Sequence, residues 1–134
     1  MTDLPARAPQ PSLEDQPYFD GLAEGRISLP RCNACGLTIW FPRSMCPACY
    51  SEDVTWTDCS GNGSIYSFTV IRKGQGRWRD ASPYVIAYVE LNEGPRIMTN
   101  VIDVDPDTVA IGDQVTASFV PTEDGPPLLR FTPA

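Results

Sequence analysis

The 134-residue sequence contains no histidine. That absence removes the commonest general base and the usual ligand of catalytic zinc, leaving acid–base chemistry to carboxylates, Cys or Tyr. Long hydrophobic runs are also missing. No apolar stretch approaches the roughly 20 residues of a spanning helix, and Met1 to Gln16 carries Asp3, Glu14 and Asp15 without an apolar segment, so neither a membrane association nor a secretory signal is expected. Positive charge is scarce: ten Lys and Arg stand against seventeen Asp and Glu. The resulting net charge of -7 repels phosphate backbones and argues against general nucleic-acid binding. The expected compartment is the cytoplasm. The chain length suits one globular domain, or a small module joined to one, and not two full-sized domains.

Along the chain, residues 1–15 hold Pro5, Pro9 and Pro11 with little apolar periodicity, which predicts an extended or disordered lead-in contributing little to the fold. A helical segment is expected within 16–29. Tyr18, Phe19, Leu22 and Ala23 fall at helical spacing, Asp15 can cap the start and Gly25 can end it. So short a helix must dock its aromatic face, either on its own chain or on a partner. From Asp53 onward the composition turns to Val, Ile, Thr, Tyr and Phe. Strands are expected over Val54 to Thr57, Ser64 to Arg72, Tyr84 to Leu91, Arg96 to Asp103, Gln114 to Val120 and Leu128 to Thr132. Gly61-Asn62-Gly63 and Asn92-Glu93-Gly94-Pro95 supply turn chemistry between them. Five main strands over 53–134 suit a small barrel, since closure removes exposed sheet edges. The fold class is therefore mainly β.

Residues 30–52 contain Cys32-Asn33-Ala34-Cys35 and Cys46-Pro47-Ala48-Cys49, two C-x2-C pairs ten residues apart. Two residues between thiols let both sulfurs of a knuckle face one metal ion. The intervening segment, with Leu37 to Phe41, is long enough for a short hairpin that brings the pairs together. Four thiolates make a closed tetrahedral shell with no position left for water or substrate, which points to structural Zn²⁺; iron is the alternative allowed by the same ligands. Disulfides fit a reducing compartment poorly. Cys59, with no histidine to activate it, reads as a structural residue rather than a nucleophile. No catalytic residues are assigned. Asp103, Asp105, Asp107 and Asp113 lack the spacing and terminal Glu of a calcium loop and read as turns.

The order of these motifs resembles a known family. Tyr18-Phe19 precedes Leu29-Pro30-Arg31-Cys32, Cys35-Gly36, Phe41-Pro42-Arg43 and Cys46-Pro47-Ala48-Cys49; then follow Gly61-Asn62-Gly63, Ser67-Phe68-Thr69, Pro83-Tyr84-Val85 and Ile111-Gly112-Asp113. This series resembles the acyl-CoA-associated zinc-ribbon/OB-fold proteins of bacteria and archaea, labelled domain of unknown function thirty-five. The resemblance covers Pro17 to the C-terminus. It implies a short N-terminal helix, a rubredoxin-like zinc ribbon and an OB-fold barrel. It also implies an accessory subunit, in a hetero-oligomer with a thiolase-superfamily enzyme, which supplies the catalytic groups. A hotdog-fold acyl-CoA hydratase is the alternative partner, and a single-stranded nucleic-acid module is an alternative function.

Within that frame, Tyr18, Phe19, Trp40 and Phe41 are candidate partner-contact residues, because the helix and ribbon have little core of their own. Arg72, Lys73, Arg77, Trp78 and Arg79 form the one basic cluster. It reads either as a solvated loop or as a contact for the partner or for acyl-CoA shared with it.

Overall fold

The computed structural model describes residues 4–134. One helix, α1 (Gln16–Ala23), is followed by strands β1 (Ile27–Cys32) and β2 (Val54–Cys59), and then by β3 (Asn62–Ile71), β4 (Tyr84–Leu91), β5 (Arg96–Val101), β6 (Gln114–Val120) and β7 (Leu128–Pro133). β1 and β2 pair antiparallel as a separate two-stranded sheet; the other five close into a barrel in the order β3-β4-β5-β7-β6. The strand expected at Val54 thus belongs to the ribbon sheet rather than to the barrel. β1, which crosses from the expected helical segment into the ribbon, was not anticipated. Its first four residues are all buried, so it lacks the alternation that marks a half-exposed strand.

Barrel formation follows from alternation along β4, where Val85, Ala87, Val89 and Leu91 point inward. The Gly61-Asn62-Gly63 turn has a steric cause at its last residue: a Cβ on Gly63 would collide with the Glu90 carbonyl oxygen of the neighbouring strand. Close approach of two backbones therefore demands glycine there. The β4–β5 hairpin is held by the Leu91 N–H donating to the Pro95 carbonyl at 2.8 Å.

α1 begins after Asp15, whose side chain accepts from the Ser12 N–H at 2.6 Å and makes no bond to the helix. The helix ends with the Gly25 and Arg26 N–H groups donating back to the Leu22 and Gly21 carbonyls, which satisfies two terminal acceptors. Tyr18, Phe19 and Leu22 on α1, Ile27 and Leu29 on β1, and Ile65, Val85, Val89 and Phe131 of the barrel form one continuous core. A second cluster of Cys32, Ile39 and Cys46 sits apart at the metal end, against Val54. The helix is docked on its own chain.

Of the expected lead-in 1–15, residues 1–3 lie outside the described residues, and 4–15 carry no helix or strand but are tied to the rest of the chain at both ends. The Arg130 guanidinium on β7 donates to the carbonyls of Leu4 and Pro5, and Glu14 accepts from both the N–H and the hydroxyl of Ser44 at 2.8 Å. Those two bonds hold the Glu14 carboxyl below its ordinary range. Among the described residues, no helix is long and apolar enough to cross a membrane.

Candidate functional site

The two C-x2-C segments repeat one local geometry. The Cys32 N–H donates to the Leu37 carbonyl at 2.8 Å and the Gly36 N–H to the Cys32 carbonyl at 2.8 Å; in the second knuckle the Cys46 N–H donates to the Ser51 carbonyl at 2.9 Å and the Tyr50 N–H to the Cys46 carbonyl at 2.9 Å. The residue after each knuckle is left-handed: Gly36 has φ 83° and Tyr50 φ 63°. Between the knuckles the expected hairpin reduces to a single bridge, Arg31 to Thr38, with the Ile39 N–H donating to the Pro30 carbonyl. That contact folds the intervening loop back and aims both knuckles at one point.

The four Sγ atoms lie within 4.8 Å of one another, with Cys32 to Cys49 and Cys35 to Cys46 each at 3.6 Å. A tetrahedron of thiolates at the usual zinc–sulfur length of about 2.3 Å has edges of about 3.8 Å, so the donor set and its dimensions fit zinc. Cys32 and Cys46 are buried; Cys35 and Cys49 reach the surface. The sulfurs hold charge unequally on their own. The Cys35 and Ala34 N–H groups draw the Cys32 thiol down to about 6. At Cys49 the Ser51 N–H favours the thiolate, but the Cys32 sulfur, burial and the other two cysteines outweigh it and drive the thiol up to about 12. Full ionisation of all four requires a dication between them. Zn²⁺ held by Cys32, Cys35, Cys46 and Cys49 supplies a structural cross-link and, with its shell complete, no open coordination position.

The other sequence-selected residues lie elsewhere. Tyr18, Phe19, Trp40 and Phe41 form one aromatic cluster, with ring centroids 4.9 Å (Tyr18–Phe19), 5.4 Å (Tyr18–Trp40) and 5.1 Å (Trp40–Phe41) apart in edge-to-face arrangements. Tyr18 and Phe19 are buried in the chain's own core, Trp40 is half-buried, and Phe41 alone is exposed, at 41%. Leu37, Met45 and Tyr50 are exposed nearby in the ribbon sequence. The basic cluster occupies the β3–β4 connection. Arg72 pairs with Asp107 at 2.8 Å, and Trp78 packs on Tyr84 at 4.8 Å between centroids. The Arg77 and Arg79 side chains are exposed. Gly74 packs so tightly against the Trp78 carbonyl that a Cβ would collide with it, so this connection is shaped rather than slack.

Cys59 is half-buried at the end of β2, and burial together with the carboxylates of Glu93 and Asp58 pushes its thiol up to about 11. It is neutral at pH 7 and poorly nucleophilic. Two residues escaped the sequence reading. Tyr50 is legible only by superposing the second knuckle on the first, where Gly36 stands. Arg130, 5% exposed, carries no local motif at all.

A closed four-thiolate ribbon joined to a closed five-stranded barrel defines a zinc-ribbon/OB-fold protein. Residues 19–55 match the family described as ChsH2, rubredoxin-like zinc ribbon domain, and residues 56–120 match ChsH2, C-terminal OB-fold domain. The chain belongs to the DUF35 family. It is 40% identical over 91 residues to a DUF35 domain-containing scaffold protein of Methanothermobacter thermautotrophicus, covering 66% of this chain and 68% of that one. It is 31% identical to a probable enoyl-CoA hydratase alpha subunit of Thermomonospora curvata, over 96% of this chain but only 41% of the relative. Benzoylsuccinyl-CoA thiolase subunit BbsA of Geobacter metallireducens is 32% identical over 75% of this chain and 68% of its own length. Among solved structures, a chain described as Ltp2-ChsH2(DUF35) aldolase superposes with a TM-score of 0.81 at 30% identity, covering 93% of this chain and 98% of that one.

Proposed function

We propose that this chain is a non-catalytic accessory subunit that binds a thiolase-superfamily enzyme and supports its acyl-CoA chemistry. The observation that carries the reading is the ribbon surface: Leu37, Phe41, Met45 and Tyr50 are exposed apolar or aromatic residues around a metal shell that is already full. Exposed aromatic and Met side chains are enriched in interface cores, whereas a filled thiolate shell has no position for substrate. Relatives named as a scaffold protein and as a thiolase subunit, and the aldolase structure that superposes over most of the chain, support the same reading. Phe41 makes the direct contact, while Tyr18, Phe19 and Trp40 hold it from behind. To the exposed Arg77 and Arg79, with Lys73 and Trp78, this reading assigns contact with either the partner or the phosphates of acyl-CoA bound to it.

A second reading, partnership with an acyl-CoA hydratase, is favoured by the hydratase alpha subunit that aligns with nearly the whole chain. Nucleic-acid binding has less support: the net charge is -7, and Arg72 in the one basic cluster is already paired with Asp107. Titration of the purified chain against a thiolase-like protein and a hydratase from the same organism separates the two partner classes. The thiolase-like protein is expected to bind, and Phe41→Ala to weaken that complex by about 2 kcal/mol. Phe19→Ala is expected to lower the melting temperature instead, through a core cavity costing about 3 kcal/mol. Binding to the hydratase alone would select the second reading.

A further inference from the structure

Arg130 is the one arginine among the described residues that is buried, and its position on β7 places it at the wall of a cavity of about 390 Å³. Leu4, Ala81, Val101, Val104 and Val120 supply the apolar walls, and Asp103 stands exposed among the lining residues. Burying a guanidinium is costly unless its charge is balanced. Here the described residues offer no carboxylate as an ion-pair partner. Two N–H donors go to the Leu4 and Pro5 carbonyls, and the indole of Trp78 lies 6.0 Å from the guanidinium carbon. A guanidinium has five N–H donors in a planar fork, so these two bonds leave most of its capacity unused.

We propose that this cavity is a binding site for a small apolar monocarboxylate, an aliphatic or aromatic acid, with Arg130 as its counter-ion. Size, wall chemistry and charge each select that class. The volume lies near the lower end of the roughly 300–1,000 Å³ typical of ligand pockets, and a few placed polar groups in an apolar wall are what such pockets use to orient a ligand. A planar carboxylate matches the planar fork and brings one negative charge against one positive charge. A phosphate dianion would need a second cation, and the lining residues include only Arg130 and the opposing charge of Asp103. The hydrocarbon part of the ligand would fill the space between Leu4, Ala81 and Val104. The carbonyls of Leu4 and Pro5 fix two of the guanidinium N–H groups, and Leu4 and Ala6 line the cavity beside them.

The test is calorimetric titration of the zinc-loaded full chain with hexanoate and phenylacetate, beside hexanol, phenylacetamide and inorganic phosphate. The two carboxylates are expected to bind at least about tenfold more tightly than their neutral counterparts and than phosphate. Arg130→Gln should abolish the difference between carboxylate and neutral probe with zinc content unchanged. Should that variant fail to fold, Ala81→Leu, which narrows the cavity without touching the cation, is expected to weaken hexanoate binding by a similar factor. No carboxylate binding, equal binding of hexanol, preference for phosphate, or hexanoate binding unaltered by Ala81→Leu would each overturn the proposal.

Discussion

Tyr50 shows how much a single backbone angle can reveal. The second knuckle requires a left-handed residue where the first uses Gly36, and a side chain at φ 63° costs on the order of 1–2 kcal/mol relative to glycine. Part of any gain from glycine is lost to greater freedom in the unfolded chain. Tyr50→Gly should therefore stabilise the isolated protein by about 0.5–1 kcal/mol, measured by denaturant unfolding. The same substitution should weaken partner binding, since Tyr50 is 72% exposed and belongs to the proposed contact surface. Retention of Tyr at a position that favours Gly would then have a functional cause. Cys59 gives the converse case of a residue whose chemistry is suppressed. Its thiol is raised above the ordinary value of 9.0 to about 11, chiefly by burial. The unfolded chain ionises this group first, so the stability it contributes is present below about 9 and is lost as pH rises through about 11. Alkylation of the metal-loaded protein with iodoacetamide should leave Cys59 unmodified at pH 7 and label it only in alkaline solution or on unfolding.

At the level of elements, the ribbon and barrel differ in what holds them together. The cluster at the metal end consists of Cys32, Ile39 and Cys46 against Val54, too little apolar surface to order the loop from Asn33 to Asp53 without a cross-link. The barrel has its own ladder and a core that runs on into α1 and β1. The break between the two cores lies inside the ribbon, between the metal end and the β1–β2 sheet. Cys46→Ser, or zinc removal by a chelator, should abolish hydrogen-exchange protection across residues 33–53 while amides of β3 to β5 remain protected. Collapse of protection throughout the barrel would show that the metal organises the whole chain. β4 was legible because one face is buried and the other is not, β6 because Val115, Ala117 and Phe119 alternate on the side that packs against the core, and the Gly63 turn because a bulkier residue cannot fit. β1 was not, because it is buried on both faces and contains Pro30, which argues against a strand when read alone.

For the whole molecule, the metal centre was fully legible from spacing, since four thiolates at two-residue intervals admit few other uses. The contact of Leu4 and Pro5 with Arg130 was not: bonds more than 120 positions apart leave no trace in local periodicity. The division of Tyr18, Phe19, Trp40 and Phe41 into buried and exposed members also needed the third dimension, because all four look alike as aromatic residues beside a ribbon. What the molecule as a whole presents is a four-thiolate metal site that leaves no coordination position for substrate, a neutral half-buried Cys59, no histidine and an exposed aromatic edge. On the function proposed above, such a chain holds another protein and leaves thioester turnover to it. The decisive measurement is the rate of acyl-CoA carbon–carbon cleavage or condensation for the zinc-loaded chain alone, for the thiolase-like protein alone, and for the two mixed. The account predicts no turnover by the chain alone and a marked rise in turnover on mixing. Thioester turnover by the isolated chain, lost in Cys59→Ala, would contradict it.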